Sequence, residues 1–200
     1  MEKLKRSFYE RDALTVAKDI LGKYLVTYTP AGTTVGKIIE VEAYMGFVDA
    51  GSHTYQGKRT ARTEVIFGPG GHAYVYLIYG MYYCLNIIVN RIDVPEVVLI
   101  RALEPVDGIE LMKQRRGTDR ILNLCSGPGK LSTAMGISLK ENGIDLCGET
   151  MYLLSGDTVD SRKITRTPRI NIDYAGEARD YPWRFLVQDN PFVSKKLRNK

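Results

Sequence analysis

The stretch AYVYLIYGMYYCLNIIVN, residues 73–90, predicts two β-strands folded back on each other. Aromatic and β-branched residues dominate both halves, and the step Tyr79–Gly80–Met81 between them contains the glycine that a tight turn favours. Tyr74 and Tyr76 share one face of the first strand, because strand side chains alternate. Packed rings with hydrogen-bonded hydroxyls explain most of the tyrosines in this segment. They explain the turn poorly, since folding gains little from large residues at an exposed tip.

The rest of the chain predicts a single α+β domain with an antiparallel-rich, curved sheet, flanking helices and a protruding hairpin. Apolar residues at helical spacing follow Asp12, which predicts a helix capped by this aspartate. The same spacing predicts helices in residues 107–117 and 129–138. Residues 49–71 are rich in glycine and polar residues and are predicted to form an ordered loop. Further strands are predicted over residues 24–30, 33–46, 96–105, 151–156, 164–173 and 184–189.

No repeat, low-complexity tract or linker divides the chain, so residues 1–200 are assigned to one domain. We expect residues 1–8 and 195–200 to fray at its ends.

The composition favours a cytoplasmic protein with a basic surface. Lysine and arginine outnumber aspartate and glutamate by 28 to 23, which gives a net charge of +5 and is compatible with a nucleic-acid partner. No apolar run is long enough to cross a bilayer, and the first residues lack the apolar core of a signal peptide. The three cysteines are widely spaced and form no CxxC pair, which indicates a reducing compartment. We therefore expect a cytoplasmic location, associated with the nucleoid in a bacterium, and no membrane partner.

The segment IIEVEAYMG, residues 38–46, contains the first candidate for chemistry. In a strand, Glu40, Glu42 and Tyr44 point to one face, where two carboxylates repel each other and are costly to bury. An exposed face with two solvated acids is one interpretation. A general base at the end of a strand, beside a glycine-rich loop, is the other.

Two basic segments are candidates for phosphate contacts. Lys58, Arg59 and Arg62 follow His53 in the predicted loop, and CSGPGKLS resembles a phosphate-binding turn that opens a helix, with Lys130 adding charge. A plain turn before a helix is the alternative for the second segment. His53 and the only other histidine, His72, lack the neighbours that a metal site requires.

Aromatic rings of the hairpin suggest contact with a flat ligand. Rings that face a cavity can stack on a heterocycle, which contributes roughly 1–3 kcal/mol per base. A ring at an exposed tip can instead insert between base pairs and fill the space of an extruded nucleotide. Tyr79, with Met81 beside it, is the candidate for such a wedge.

Five segments in one order resemble the alkyladenine (3-methyladenine) DNA glycosylase family in its compact bacterial form. They cover most of residues 12–194 and read VEAYMG followed by Asp49 and Ser-His, RTEVIFGPGGHAYVYLIYGMYYCLN, VLIRALEP, CSGPGKL and DYPWRFLV. The resemblance implies a monofunctional enzyme that flips alkylated or deaminated purines out of double-stranded DNA. These purines would be 3-methyladenine, 7-methylguanine, hypoxanthine or ethenoadenine, and water would hydrolyse the N-glycosidic bond with no lyase step and no metal or organic cofactor.

The same resemblance implies a role for each matching residue. Glu42 would be the general base that activates water, while Arg101 and the main-chain carbonyl of Ile170 would hold that water. Tyr79 and Met81 would form the intercalating tip of the hairpin. The base pocket would be lined by Tyr44, His53, Tyr76 and Asn86, with Asn86 discriminating against normal guanine. Phe47 and Ala61 replace prolines that are frequent in the family, which changes local loop shape but removes no reacting group.

Two other function classes remain open at the level of sequence. Glu40 and Glu42 could act as the paired carboxylates of a carbohydrate glycosidase, although that interpretation leaves the hairpin tip and the basic segments unexplained. A non-catalytic DNA-bending protein could use the same wedge. We expect a monomer that acts on double-stranded DNA containing damaged purines.

Overall fold

Eight strands form one sheet in the computed structural model, which describes residues 1–194, and every pairing in it is antiparallel. The strands are β1 (Tyr24–Thr29), β2 (Gly32–Tyr44), β3 (Ala73–Ile78), β4 (Tyr82–Val89), β5 (Glu96–Asp107), β6 (Met151–Leu154), β7 (Ile164–Thr167) and β8 (Arg184–Val187). Their order is β3-β4-β5-β2-β1-β6, and β8 joins β2 and carries β7 on its other side.

Strand β2 is the centre of this sheet and the origin of its curvature. It pairs with β5 along one edge, and with β1 and then β8 along the other. The register between β2 and β5 shifts near Gly36 and again around Glu40. Such bulges bend a strand and increase its twist, so the sheet curls into a half-barrel. The predicted curved, antiparallel α+β domain is confirmed.

Four α-helices accompany the sheet: α1 (Arg6–Tyr9), α2 (Ala13–Asp19), α3 (Ile109–Arg116) and α4 (Pro128–Met135). The side chain of Asp12 accepts a hydrogen bond of 3.0 Å from the Thr15 amide, as the predicted cap requires. Buried residues of α2 and α4 pack with Val41, Ala43 and the inner face of the sheet in one main core. No described helix has both the length and the apolarity that crossing a membrane requires.

The structure corrects three details of the sequence-based expectation. Strand β5 does not end at Pro105 but continues to Asp107, because this proline lies opposite Gly36 at the register shift, where ladder hydrogen bonding is already disrupted. The late strand over 164–173 stops at Thr167, directly before a proline that cannot donate to the ladder.

The third detail concerns the N-terminus. Residues 1–8, expected to fray, contain Leu4, whose amide hydrogen-bonds the carbonyl of Leu153 at 2.9 Å, and Glu2, whose amide donates to the hydroxyl of Ser155. The same expectation for residues 195–200 lies outside the described residues.

Replacing Asp12 by alanine should lower the free energy of unfolding by about 1 kcal/mol, because the first turn of α2 loses its cap. Burial raises the pKa of Asp12, but hydrogen bonds from Thr15 and the charge of Lys18 lower it by more than burial raises it. The pKa of Asp12 therefore lies below its ordinary value. The contribution is therefore present at neutral pH and is lost as the pH falls through the folded-state pKa. Urea unfolding at neutral and acidic pH measures both effects.

Asp12→Asn is the matched control, since asparagine retains the capping oxygen, and its loss should be smaller. Equal unfolding free energies for the alanine variant and the unchanged protein would contradict the assignment.

Candidate active site

A cavity of about 680 Å³ lies between the outer face of the curled sheet and the loops around residues 51–62 and 170–174. Alternate residues of β5, namely Val97, Leu99 and Arg101, line it, whereas Val98 and Ile100 point into the core. The volume is in the range of small-molecule sites. The predicted residues that line it are Tyr44, His53, Arg62, Tyr76, Tyr79, Asn86, Arg101, Lys130 and Ile170.

Glu42 lies beneath this cavity, fully buried, and is held by two hydrogen bonds and one ion pair. Its Oε1 accepts a hydrogen bond of 2.8 Å from the Ile170 amide and lies 3.2 Å from Nη1 of Arg101. Its Oε2 accepts a hydrogen bond of 2.8 Å from the hydroxyl of Tyr44. Each carboxylate oxygen can accept about two hydrogen bonds, so these contacts within residues 1–194 leave room for one more donor on Oε2. A water bound there would be placed to give up a proton.

The contact that Ile170 makes is not the one expected from sequence. The structure shows its amide N–H donating to the carboxylate, and the role of its carbonyl as a water ligand stays a prediction. The next residue, Asn171, has a left-handed φ of 59° and also lines the cavity.

Aromatic rings form one wall of the cavity. The rings of Tyr74 and Tyr76 lie 5.3 Å apart at 31°, and the imidazole of His53 meets Tyr76 edge-on at 4.8 Å. Tyr44 packs with the same group. Tyr44 and Tyr76 are both partly exposed to the cavity, which leaves flat surfaces for a planar ligand. Asn86 is buried at the end of this wall and donates to the carbonyl of Tyr74 at 3.2 Å.

His53 is neutral at physiological pH. Burial, and then the nearby charges of Arg62 and Lys58, lower its pKa to about 4. Its Nδ1 lies 2.9 Å from the hydroxyl of Tyr74, whose pKa burial raises to about 12. The protonated phenol can donate to Nδ1 or accept from Nδ1–H. In the tautomer in which it donates, the imidazole has its proton on Nε2 and presents a neutral N–H donor.

The hairpin between β3 and β4 turns at Tyr79 and Gly80, both with positive φ of 54° and 69°. With Met81 they form a three-residue connection between the paired residues Ile78 and Tyr82, closed by a hydrogen bond of 3.2 Å from the amide of Met81 to the carbonyl of Ile78. Tyr79 is 72% exposed and Met81 is 65% exposed. Gly129 at the start of α4 packs so closely on Tyr82 that an added Cβ would lie 2.9 Å from its side chain. The first turn of α4 and the base of the hairpin therefore form one unit, while the intercalating role of the tip stays a prediction.

The basic residues proposed as phosphate contacts differ in their surroundings. Arg62 and Lys130 lie at the edge of the cavity, and Lys130 also donates to the side chain of Asn123. Lys58 is exposed, and its charge acts on His53. Arg59 makes two hydrogen bonds to Glu64, of 2.8 and 2.6 Å, and stacks on a phenylalanine ring, so a phosphate would compete with this pairing.

The part of the chain that the structure describes contains no group of three or more His, Cys, Asp or Glu side chains that could hold a metal ion.

Comparison with known proteins identifies the family of this chain. The family model described as methylpurine-DNA glycosylase matches residues 7–191. The chain belongs to this family. A relative from Alkaliphilus oremlandii is 52% identical over 97% of this chain and all of its own length. Relatives from Clostridium acetobutylicum, at 48%, and Bacillus cereus strain G9842, at 54%, cover 96% and 95% of the chain and 97% and 98% of their own lengths. All three have the name "Putative 3-methyladenine DNA glycosylase".

A buried ion pair behind Tyr44 was not predicted from the sequence. Arg169 and Asp49 have fully buried side chains and make two hydrogen bonds to each other. The guanidinium lies 4.5 Å from the ring of Tyr44 and 4.9 Å from that of Trp183, and a further N–H donates to the carbonyl of Ala43. Asp49 also accepts from the amides of the loop that follows β2. This pair fixes the ring of Tyr44 on the side away from the cavity.

Replacing Arg169 by methionine should lower the free energy of unfolding by roughly 3–5 kcal/mol, because Asp49 would keep a buried charge without its partner. Arg59→Met is the matched control. Its guanidinium also stacks on a ring and pairs with a carboxylate, but at the surface, so its effect should be much smaller. Chemical unfolding of both variants measures the difference. Equal losses would show that burial of the Arg169 pair is not what matters.

Proposed function

We propose that this glycosylase removes alkylated or deaminated purines from double-stranded DNA by a hydrolysis in which Glu42 activates water. Membership of the methylpurine-DNA glycosylase family, with relatives named for 3-methyladenine, makes the chain a DNA glycosylase, a hydrolase of N-glycosidic bonds. One observation supports the proposed mechanism above the others. A buried carboxylate, held by Arg101 and by Ile170, lies directly beneath an aromatic cavity large enough for a base.

In the proposed reaction, the bond between C1′ of the sugar and the purine nitrogen breaks, and its electrons leave with the base. The sugar gains oxocarbenium character, which the negative charge of Glu42 stabilises. Water then adds to C1′, and its proton passes to the open acceptor position on Oε2 of Glu42. A base methylated at N3 or N7 is cationic and leaves as a neutral molecule, so it requires no acid for its departure.

The cavity wall suits such a leaving group. Tyrosine faces attract a cationic ring, by about 0.5–2 kcal/mol each, and the imidazole of His53 adds no competing positive charge because its pKa is about 4. Arg62 and Lys130 at the edge would contact the DNA backbone, together with Lys58 and with Arg59 once its pairing is exchanged. The tip at Tyr79 would occupy the space of the extruded nucleotide, and extrusion costs less for a damaged pair.

We further propose that the protein works as a cytoplasmic monomer on nucleoid DNA. A panel of duplexes, each with a single 3-methyladenine, 7-methylguanine, hypoxanthine or ethenoadenine, would identify the substrates. Cationic lesions should be excised fastest. A panel without any excision would contradict the proposed activity and favour a DNA-bending protein.

Glu42→Gln should lower the single-turnover excision rate at least about 100-fold, because the amide cannot accept the proton of water. Binding of lesion DNA should change little, since the side chain lies beneath the base pocket and keeps its shape. Glu110→Gln, at an exposed glutamate of α3, is the control and should leave excision unchanged. Rates are measured with enzyme in excess over a lesion duplex, and affinities by fluorescence anisotropy. Unchanged excision by Glu42→Gln would refute its catalytic role.

Tyr79→Ala should weaken lesion-DNA binding about tenfold, in line with the roughly 1–3 kcal/mol that one base–aromatic stack contributes. Its free energy of unfolding should not fall, because the ring is exposed and the left-handed turn does not favour tyrosine. Tyr28→Ala is a matched control, since this tyrosine is also exposed, at 62%, but lies on β1. A destabilised Tyr79→Ala protein with normal DNA affinity would assign the ring to folding instead.

A further inference from the structure

A second carboxylate, Glu40, is buried two residues before Glu42, and like Glu42 it is not itself among the residues that line the cavity. Its Oε1 accepts three hydrogen bonds, from Nε of Arg101 at 3.0 Å, Nε of Arg184 at 2.8 Å and the hydroxyl of Ser194 at 2.7 Å. Its Oε2 accepts a hydrogen bond of 2.6 Å from the amide of Ser194. These four hydrogen bonds come from two arginines and one serine, so Glu40 is held in a charge cluster behind Glu42.

These contacts keep Glu40 ionised and connect it, through Arg101, to Glu42. Burial raises the pKa of Glu40, but Arg101, Arg184 and the hydrogen bonds from Ser194 lower it by a larger amount. The pKa of Glu40 therefore lies below its ordinary value. Arg101 connects the two acids, with Nε on Glu40 and Nη1 on Glu42. Because a guanidinium is planar and rigid, fixing Nε determines where the two Nη groups point. The orientation of Arg101 toward Glu42 therefore depends on Glu40.

Ser194 completes this arrangement from the other end of the chain. Its hydroxyl donates a hydrogen bond to Oε1 of Glu40 and lies 3.5 Å from Nη2 of Arg101. The segment before it is tied to the sheet by the side chain of Asn190, which donates to Glu104 at 3.1 Å. Ser194 thus provides two of the four hydrogen bonds to Glu40 described here, from a residue 154 positions away in sequence.

We infer that Glu40 and Ser194 are positioning residues of this glycosylase: Ser194 fixes Glu40, Glu40 fixes Arg101, and Arg101 holds Glu42 and its water. Neither residue lines the cavity. The inference rests on the proposed role of Glu42 and assigns a catalytic purpose to the C-terminal segment that contains Ser194. Loss of the Ser194 hydroxyl should slow bond cleavage while leaving base binding intact.

The test compares Ser194→Ala, Ser194→Thr and the unchanged protein in single-turnover excision and in lesion-DNA binding. Ser194→Ala removes the hydroxyl's hydrogen bond to Glu40 and its longer contact with Arg101, and should lower the excision rate about tenfold, with an affinity within about twofold of the unchanged protein. Threonine restores the hydroxyl and should restore most of the rate. Ser155→Ala is the matched control, because its hydroxyl also secures a chain end, at Glu2, but far from the cavity in the fold.

Glu40→Gln provides a second variant that keeps the side-chain shape and should slow excision further with binding retained. Thermal unfolding of every variant shows whether it is folded at the assay temperature. Full excision by Ser194→Ala and by Glu40→Gln would overturn the inference and leave the proposed function intact. Parallel losses of rate, affinity and stability in Ser194→Ala, unrestored by threonine, would also overturn it, in favour of a purely structural role. No excision by the unchanged protein would refute the proposed function and this inference together.

Discussion

The guanidinium of Arg101 between two buried carboxylates is the interaction on which the site depends. Two acids on one face of a strand would repel each other and resist burial, so one of them would take up a proton. A shared cation, with Arg184 and the hydroxyl and amide of Ser194 around Glu40, allows both carboxylates to remain buried. Because Glu42 is buried away from solvent, few groups can donate a second hydrogen bond to its Oε2. A water and an incoming substrate are what the cavity above it admits.

The sheet makes this arrangement possible through alternation and curvature. Successive residues of β2 and β5 point to opposite faces, so one face packs the core and the other carries Glu42, Tyr44 and Arg101. A flat sheet would spread these residues along a plane. The bulges around Gly36 and Glu40 bend β2 so that β8 can pair beside it, which brings Arg184 to Glu40. The same irregularity that disturbs the ladder therefore completes the charge cluster.

Periodicity in the sequence was sufficient to predict most strands, the hairpin and the face shared by Glu42 and Tyr44. It could not predict which distant residues would neutralise those charges, because the partners of a buried ion are set by packing and not by spacing. Arg169 with Asp49, and Ser194 with Glu40, join residues more than a hundred positions apart. Pro105 was misjudged for a related reason: the rule against proline in a strand fails where a bulge removes the need for its hydrogen bond. The roles of the individual site residues come from the family resemblance and remain predictions.

The buried Arg169–Asp49 pair gives Tyr44 and Tyr76 different surroundings in the aromatic wall. Arg169 covers one face of the Tyr44 ring, so part of the electron density that would attract a cationic purine on the other face is already engaged. Tyr76 packs against uncharged partners, the rings of Tyr74 and neutral His53. Its face therefore provides the stronger attraction for a positively charged base, whereas Tyr44 contributes a fixed flat surface and a hydrogen bond to Glu42. In the proposed function, a preference for cationic lesions would therefore depend more on Tyr76 than on Tyr44, although both rings line the same cavity.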